Sequence, residues 1–242
     1  AKYIYHTPEV LYHWRSHSGS IAGGGENKEY AFEAGRKALL AHYERCGIRA
    51  RVGKDDIFGI YHTEYLLQEH SLVSIITDNS EELKNVVENG LYKEYEYVEK
   101  EDVGKANGKY LLFLEEGIEK AKSGWLKKMV EDGAQNEIGV VGAKVMEKTG
   151  KQLHAGMILG GKGMIHYVAE KSDINDVGYM GRYVCTQEYS AVSGMCMLVE
   201  RQCFEAVGGF DDELTGELQY TDLCLKIRGA GYKVMYEPGA MI

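Results

Sequence analysis

Residues 188–242 constrain the fold more tightly than any other part of the chain, because their elements can be read in order. An apolar run from Ser190 to Val199 has the length and character of a buried strand. A short helical stretch follows and stops at the acidic turn Gly208-Gly209-Phe210-Asp211. A second helix opens around Asp222-Leu223-Cys224-Leu225, ends before Gly231, and gives way to a last strand through Tyr232-Lys233-Val234 towards Pro238. Strand, helix, turn, helix and strand in this order fit a layered α/β domain.

The alternation continues upstream as far as Leu72. Strand Leu72–Thr77 leads to helix Glu81–Glu88, capped by Ser80 and stopped by Gly90, and strands follow near 95–99 and 109–114. A helix over Gly124–Glu131, starting after Ser123, carries Trp125, Leu126, Met129 and Val130 on adjoining positions. Ile138–Val145 then reads as a strand covered on both faces. Residues 151–182 set Met157, Ile158, Leu159, Ile165 and Tyr167 among glycines, the pattern of short strands and loops. Before Leu72, Gly23-Gly24-Gly25 precedes an amphipathic helix over 27–46, and the aromatics Phe58, Tyr61 and Tyr65 suit a strand or hairpin within 50–70.

Composition narrows the function classes. With 44% hydrophobic residues, the 242-residue chain can build one large core or two modest ones. A net charge of −9 argues against general binding to a nucleic-acid backbone, although Lys105, Lys109 and Lys122 could form a local patch for a nucleotide diphosphate. The five cysteines Cys46, Cys185, Cys196, Cys203 and Cys224 form no CxxC pair, so free thiols in a reducing compartment are expected. No apolar run approaches the roughly 20 residues of a membrane span. The sequence therefore predicts a cytoplasmic chain, with a place at the inner face of the membrane left open. His154 and His166 stand without the neighbours a zinc site needs. Neither a Gly-x-Ser-x-Gly elbow nor a Walker loop occurs.

The set Ser190–Val199, Gly208-Gly209-Phe210-Asp211, Asp222-Leu223-Cys224-Leu225 and Gly231-Tyr232-Lys233-Val234 with Pro238 resembles the family 2 glycosyltransferases. The resemblance implies an α/β, GT-A-like nucleotide-diphospho-sugar transferase sandwich with a mixed, mainly parallel central sheet and a shortened donor half. It also implies a tandem arrangement. Lys2-Tyr3-Ile4-Tyr5-His6-Thr7-Pro8 is similar to Lys233-Val234-Met235-Tyr236-Glu237-Pro238, and Val10-Leu11-Tyr12-His13-Trp14-Arg15 with Ser18-Gly19-Ser20 resembles the close of a catalytic domain. Residues 1–22 are then the tail of a preceding glycosyltransferase domain, 23–70 a helical linker and hairpin, and 71–242 the GT-A-like domain. An N-terminal strand that merely shares this aromatic and proline chemistry is the alternative.

By the same resemblance, donor binding falls to Asp78, Glu115 and Glu116, and the last two are the candidate ligands of a divalent cation, Mn or Mg. Gly117 stands where the family keeps a further metal-binding aspartate, and the glutamates also suit a solvated turn. Asp78, in Thr77-Asp78-Asn79-Ser80, suits a nucleobase or ribose contact and equally an Asx turn. The family's intervening proline loop, helix and second strand are expected to be missing at that point, and a second shortening is expected between Glu101 and Lys109.

Tyr220 occupies the place of the family's general base, and a phenol with a pKa near 10 is a poor base at neutral pH. Asp222 and Glu217 are the substitute catalytic candidates, with a helix-capping role the alternative for Asp222. The acceptor side keeps more of the pattern, in Gln152-Leu153-His154-Ala155-Gly156, Gly160-Gly161, His166 and Ala191-Val192-Ser193-Gly194. His154, Ser193 and Gly194 are the acceptor-binding candidates.

Two functions follow from the resemblance. One is inverting transfer of a sugar from a nucleotide-diphosphate donor to a glycan or glycoconjugate acceptor in cell-surface polysaccharide synthesis. The other is a catalytically impaired domain that binds acceptor or assists assembly beside a neighbouring glycosyltransferase domain or a second copy of itself.

Overall fold

A computed structural model describes residues 5, 7–13, 29–55, 57, 59–78, 80–160 and 164–242. Most of the 1–22 tail, the Gly23-Gly24-Gly25 stretch, Asn79 and Gly161 lie outside the described residues.

The centre is a seven-stranded sheet with a hydrophobic core on each face. Its strands are β3 (Val73–Ile76), β4 (Tyr95–Val98), β5 (Tyr110–Leu114), β6 (Ile138–Lys144), β9 (Gln187–Glu188), β10 (Cys196–Glu200) and β11 (Lys233–Met241). They lie in the order β4-β3-β5-β10-β6-β11-β9. β4, β3 and β5 are parallel, as are β6 and β11, while β10 and β9 run antiparallel to their neighbours. Five strands therefore point one way, the mixed, mainly parallel sheet expected from the sequence.

Alternation along β5 shows why both faces need cover. Tyr110, Leu112 and Leu114 enter the core beneath the helices α2 (Ser80–Glu88) and α3 (Trp125–Gly133). Leu111 and Phe113 enter the opposite core, with residues of α4 (Arg201–Ala206) and α5 (Glu217–Gly229). Trp125, fully buried, donates its indole N–H to the Val86 carbonyl at 2.9 Å and so ties α3 to α2. α3 opens on Gly124 in the left-handed region (φ 80°), with no side-chain cap, so Ser123 does not have the capping role its position suggests.

Before the sheet, α1 (Glu29–Arg45) packs on the antiparallel hairpin of β1 (Ala50–Lys54) and β2 (Tyr61–Tyr65). The Tyr61 hydroxyl donates to the Phe32 carbonyl at 2.9 Å, and the two rings meet edge to face. This unit reaches α3, which covers one face of the main sheet, through Lys127 on Glu64 at 3.0 Å. A second small hairpin pairs β7 (Gly156–Gly160) with β8 (Met164–Val168).

The strand, helix and strand read between Leu72 and residue 99 form the unit β3-α2-β4, and Asp78 follows β3 directly, with no further helix or strand before α2. The next connection is also short. β4 and β5 are parallel and sit on either side of β3, yet residues 99–109 join them with only a 3-10 turn at Lys100–Lys105. Crossovers of this kind usually need a dozen residues or more and a helix. This short one is fastened by Gly108 N–H on Ser74 Oγ (2.8 Å), Ser74 Oγ on Glu96 (2.7 Å) and Asn107 N–H on Glu96 (2.7 Å).

Candidate functional site at the carboxyl ends of the parallel strands

From β3 the chain leaves to β4 on one side and returns to β5 on the other, so the strand order reverses at β3. In open α/β sheets the crevice beyond the carboxyl ends at such a reversal is where ligands bind. Three of the residues that follow these strand ends converge. Lys100, just past β4, donates to Glu115 Oε2 at 2.8 Å, just past β5. Its ammonium also lies 3.0 Å from Asp78 Oδ2, just past β3. Burial alone would lower the pKa of Lys100, but its contacts with Glu115 and Asp78 outweigh burial and raise it, so the side chain is an ammonium.

The other oxygen of Glu115, Oε1, accepts a hydrogen bond from the Tyr220 hydroxyl. Burial first, then the bond to Glu115 and the negative charges of Glu115, Glu217 and Asp78, push the phenol well above its ordinary range. Tyr220 is a proton donor here and not a base.

The motifs read from the sequence explain how Tyr220 is held. Gly208 and Gly209, both at positive φ, turn the chain so that the Phe210 ring meets Tyr220 at 5.3 Å and Phe113 at 5.0 Å. Gly194 lies directly beneath the Tyr220 ring, where a Cβ would fall 2.0 Å from Cδ2, so only glycine permits this approach. The Gly194 N–H in turn donates to the Glu217 carboxylate.

Glu217 and Tyr220 are three residues apart and share one face of α5. Burial, the largest cause, and the charge of Glu115 raise the Glu217 pKa against the opposing Gly194 bond. Glu217 Oε1 lies 3.8 Å from His154 Nε2. Burial lowers the pKa of His154 to about 4, so its ring is neutral at neutral pH, and it packs against Tyr167 at 5.0 Å. Ser193, buried, accepts the Met195 N–H at 3.2 Å and shapes the loop that carries Gly194.

The residues expected on the donor and acceptor sides thus divide into three groups. Asp78, Glu115, Glu217, His154, Ser193 and Gly194 lie in one continuous chain of contacts around Tyr220. Asp222 is turned roughly 200° around α5 from Tyr220 and pairs with Lys226 at 2.7 Å, so it does not face Glu115. Glu116 is exposed in the turn after β5. Lys100 escaped the sequence reading, and its only signal there was a position immediately after a strand end.

A divalent cation does not fit the residues present. Both Glu115 oxygens are engaged, Asp78 is paired with the same ammonium, and Glu116 is exposed in the turn after β5. Gly117 adopts φ 86° and has no side chain to ligate. Among the described residues no group of three or more His, Cys, Asp and Glu could hold a metal ion. Among them, too, no helix is long and apolar enough to cross a membrane.

No known family model matches the chain. It is 30% identical to the uncharacterized protein y4gI of Sinorhizobium fredii (strain NBRC 101917 / NGR234), over 98% of this chain and 31% of that protein. It is 25% identical to the O-antigen biosynthesis protein RfbC of Myxococcus xanthus, over 96% of this chain and 22% of that protein. The chain therefore spans about a third or less of the curated relatives it matches. The two alignments cover 290 and 276 positions against 242 residues here, so both relatives carry stretches inside the matched span that this chain lacks.

Among solved structures, it is similar to the mannosyltransferase PcManGT from Pyrobaculum calidifontis in complex with GDP-Man and Mn2+ (12% identity, 88% of this chain, 66% of that chain, TM-score 0.42). It is also similar to GalNAc-T7 with UDP, GalNAc and Mn2+ (13% identity, 92% of this chain, 55% of that chain, TM-score 0.48).

Proposed function

We propose that this chain is a glycosyltransferase-like domain of a larger cell-surface polysaccharide-synthesis protein, working at the cytoplasmic side as an acceptor-binding or assembly module beside an active domain. In this reading residues 23–70 connect a preceding glycosyltransferase domain to the GT-A-like domain at 71–242, and the ligand is a glycan. The observation that carries it is the state of Glu115, whose two oxygens are taken by Lys100 and Tyr220. Of the two candidate metal ligands only the exposed Glu116 is left to meet a cation on the donor diphosphate, and a high-pKa phenol stands in the place of the base. The acceptor-side residues His154, Ser193 and Gly194 retain a built, buried setting. The relation to an O-antigen biosynthesis protein supports the polysaccharide context.

Calorimetry with uridine and thymidine diphosphates, with and without Mn2+, tests this. No binding at millimolar nucleotide is expected. Metal-dependent binding at micromolar concentration, with donor turnover in the same samples, overturns it.

One observation favours a second reading, inverting transfer from a nucleotide-sugar. Burial and the charge of Glu115 raise the Glu217 pKa, the direction that favours a carboxylate acting as general base. Donor-dependent turnover that Glu217→Gln abolishes would establish it.

A further inference from the structure

We propose that Lys100 is a resident cation: its ammonium, held between Asp78 and Glu115, takes the place of the divalent cation that the resembled family uses and closes the chain to metal. This rests on reading the strand ends as the donor side.

Position supports it first. Asp78, Lys100 and Glu115 directly follow three adjacent parallel strands, at the point where the strand order reverses. The short 99–109 connection delivers Lys100 there, because its 3-10 turn begins two residues past β4. The contacts of 2.8 and 3.0 Å put one ammonium on carboxylates from two different strands. Hard dications also recruit carboxylates from separate elements, at about 2.0–2.6 Å.

Charge supports it next. Two carboxylates and one ammonium leave a formal negative charge, whereas a dication on the same pair would leave none. A diphosphate approaching Lys100 meets that negative charge and the nearby Glu217 carboxyl. Replacing a metal by a lysine thus changes what the strand ends attract, although the geometry around them is kept.

Tethering supplies the third reason. A cation carried by the chain is present at an effective concentration of about millimolar or more. Free metal must compete against that concentration for the same two carboxylates.

Mn2+ titration of the full chain near neutral pH, followed by the paramagnetic resonance of free Mn2+, tests the assignment. Wild type and Lys100→Arg are expected to leave Mn2+ free at concentrations where Lys100→Met binds one ion per chain. The gain is expected to be at least about tenfold in Kd and to vanish in Lys100→Met/Glu115→Gln. Circular dichroism checks folding, and Lys100→Gln serves in the same role if Lys100→Met does not fold. Wild type that binds Mn2+ as tightly as Lys100→Met overturns the assignment. So does a folded Lys100→Met or Lys100→Gln that binds no more tightly than wild type. Metal-independent donor turnover by wild type would overturn the proposed function and leave Lys100 as assigned, so the two claims fail separately.

Discussion

Among the lysines held between two carboxylates, Lys100 and Lys128 differ because of the burial of their partners. At the strand ends Lys100 joins Asp78 and Glu115, with side chains 31%, 50% and 26% exposed. Between α3 and β11, Lys128 lies 2.8 Å from Asp132 and 3.5 Å from Glu237, both only 4% exposed. In the buried group, desolvation and the neighbouring Glu237 charge raise the Asp132 pKa well above its ordinary value, and both its oxygens accept from Lys128. Thr186 Oγ1 at 2.7 Å and the Gly239 N–H at 2.6 Å supply the other bonds of Glu237. The buried group is closed by its own hydrogen bonds and serves packing. The outer group is wet, keeps unequal charge and lies where a ligand would arrive.

The largest effect expected from this contrast is on stability. Lys128→Met leaves buried acids without their counter-ion and should cost about 3–5 kcal/mol in urea denaturation. A loss below about 1 kcal/mol would mean that the buried group is as solvated as the outer one.

His154 gives the next largest effect. Its folded pKa is about 4 against an ordinary 6.5, so the unfolded chain takes up a proton first as pH falls. Wild type should lose about 3 kcal/mol between pH 6.5 and 4 relative to His154→Gln. Equal pH profiles for the two would remove His154 from the buried acceptor side.

Gly194→Ala is expected to cost about 1–3 kcal/mol, because its methyl group enters the Tyr220 ring. Tyr220→Ala in the same chain should recover part of that loss, a non-additivity that a double-mutant cycle reads directly.

Asp132→Asn sharpens the comparison through its sign. A group with a raised folded pKa stabilises at acid pH and loses that contribution as pH rises from its unfolded value through its folded one. Wild type should therefore be less stable at neutral pH than in mild acid by this contribution, and Asp132→Asn should flatten the slope. The smallest effect is that of Lys100→Met on stability, below about 1 kcal/mol, as for other half-exposed ion pairs.

Much of the fold was legible because its strands are uninterrupted apolar runs. Val73–Ile76, Tyr110–Leu114 and Ile138–Lys144 each announced a buried strand, and the turn glycines placed the helices between them. The site was legible only in part. Glu115, Asp78 and Glu217 could be named by resemblance, whereas the contact of Gly194 with Tyr220 joins residues 26 positions apart that no local pattern links. Lys100 lies in a charged stretch, Glu99-Lys100-Glu101-Asp102, which by itself reads as solvated turn. Lys128 and Asp132 read as an ordinary helix-surface pair at i, i+4, and only the packing of β11 and the β1-β2 hairpin against α3 reveals their burial. The β3-α2-β4 crossover was legible from the apolar strand Leu72–Thr77, the helix that stops at Gly90 and the strand near 95–99.

The most direct test of the division between a closed donor side and a built acceptor side is saturation-transfer NMR on one sample holding the chain, uridine diphosphate, Mg2+ and a mixture of bacterial surface oligosaccharides. Saturation should reach the oligosaccharide protons and spare the nucleotide. Mg2+-dependent saturation of the nucleotide, with the oligosaccharides silent, would contradict that division.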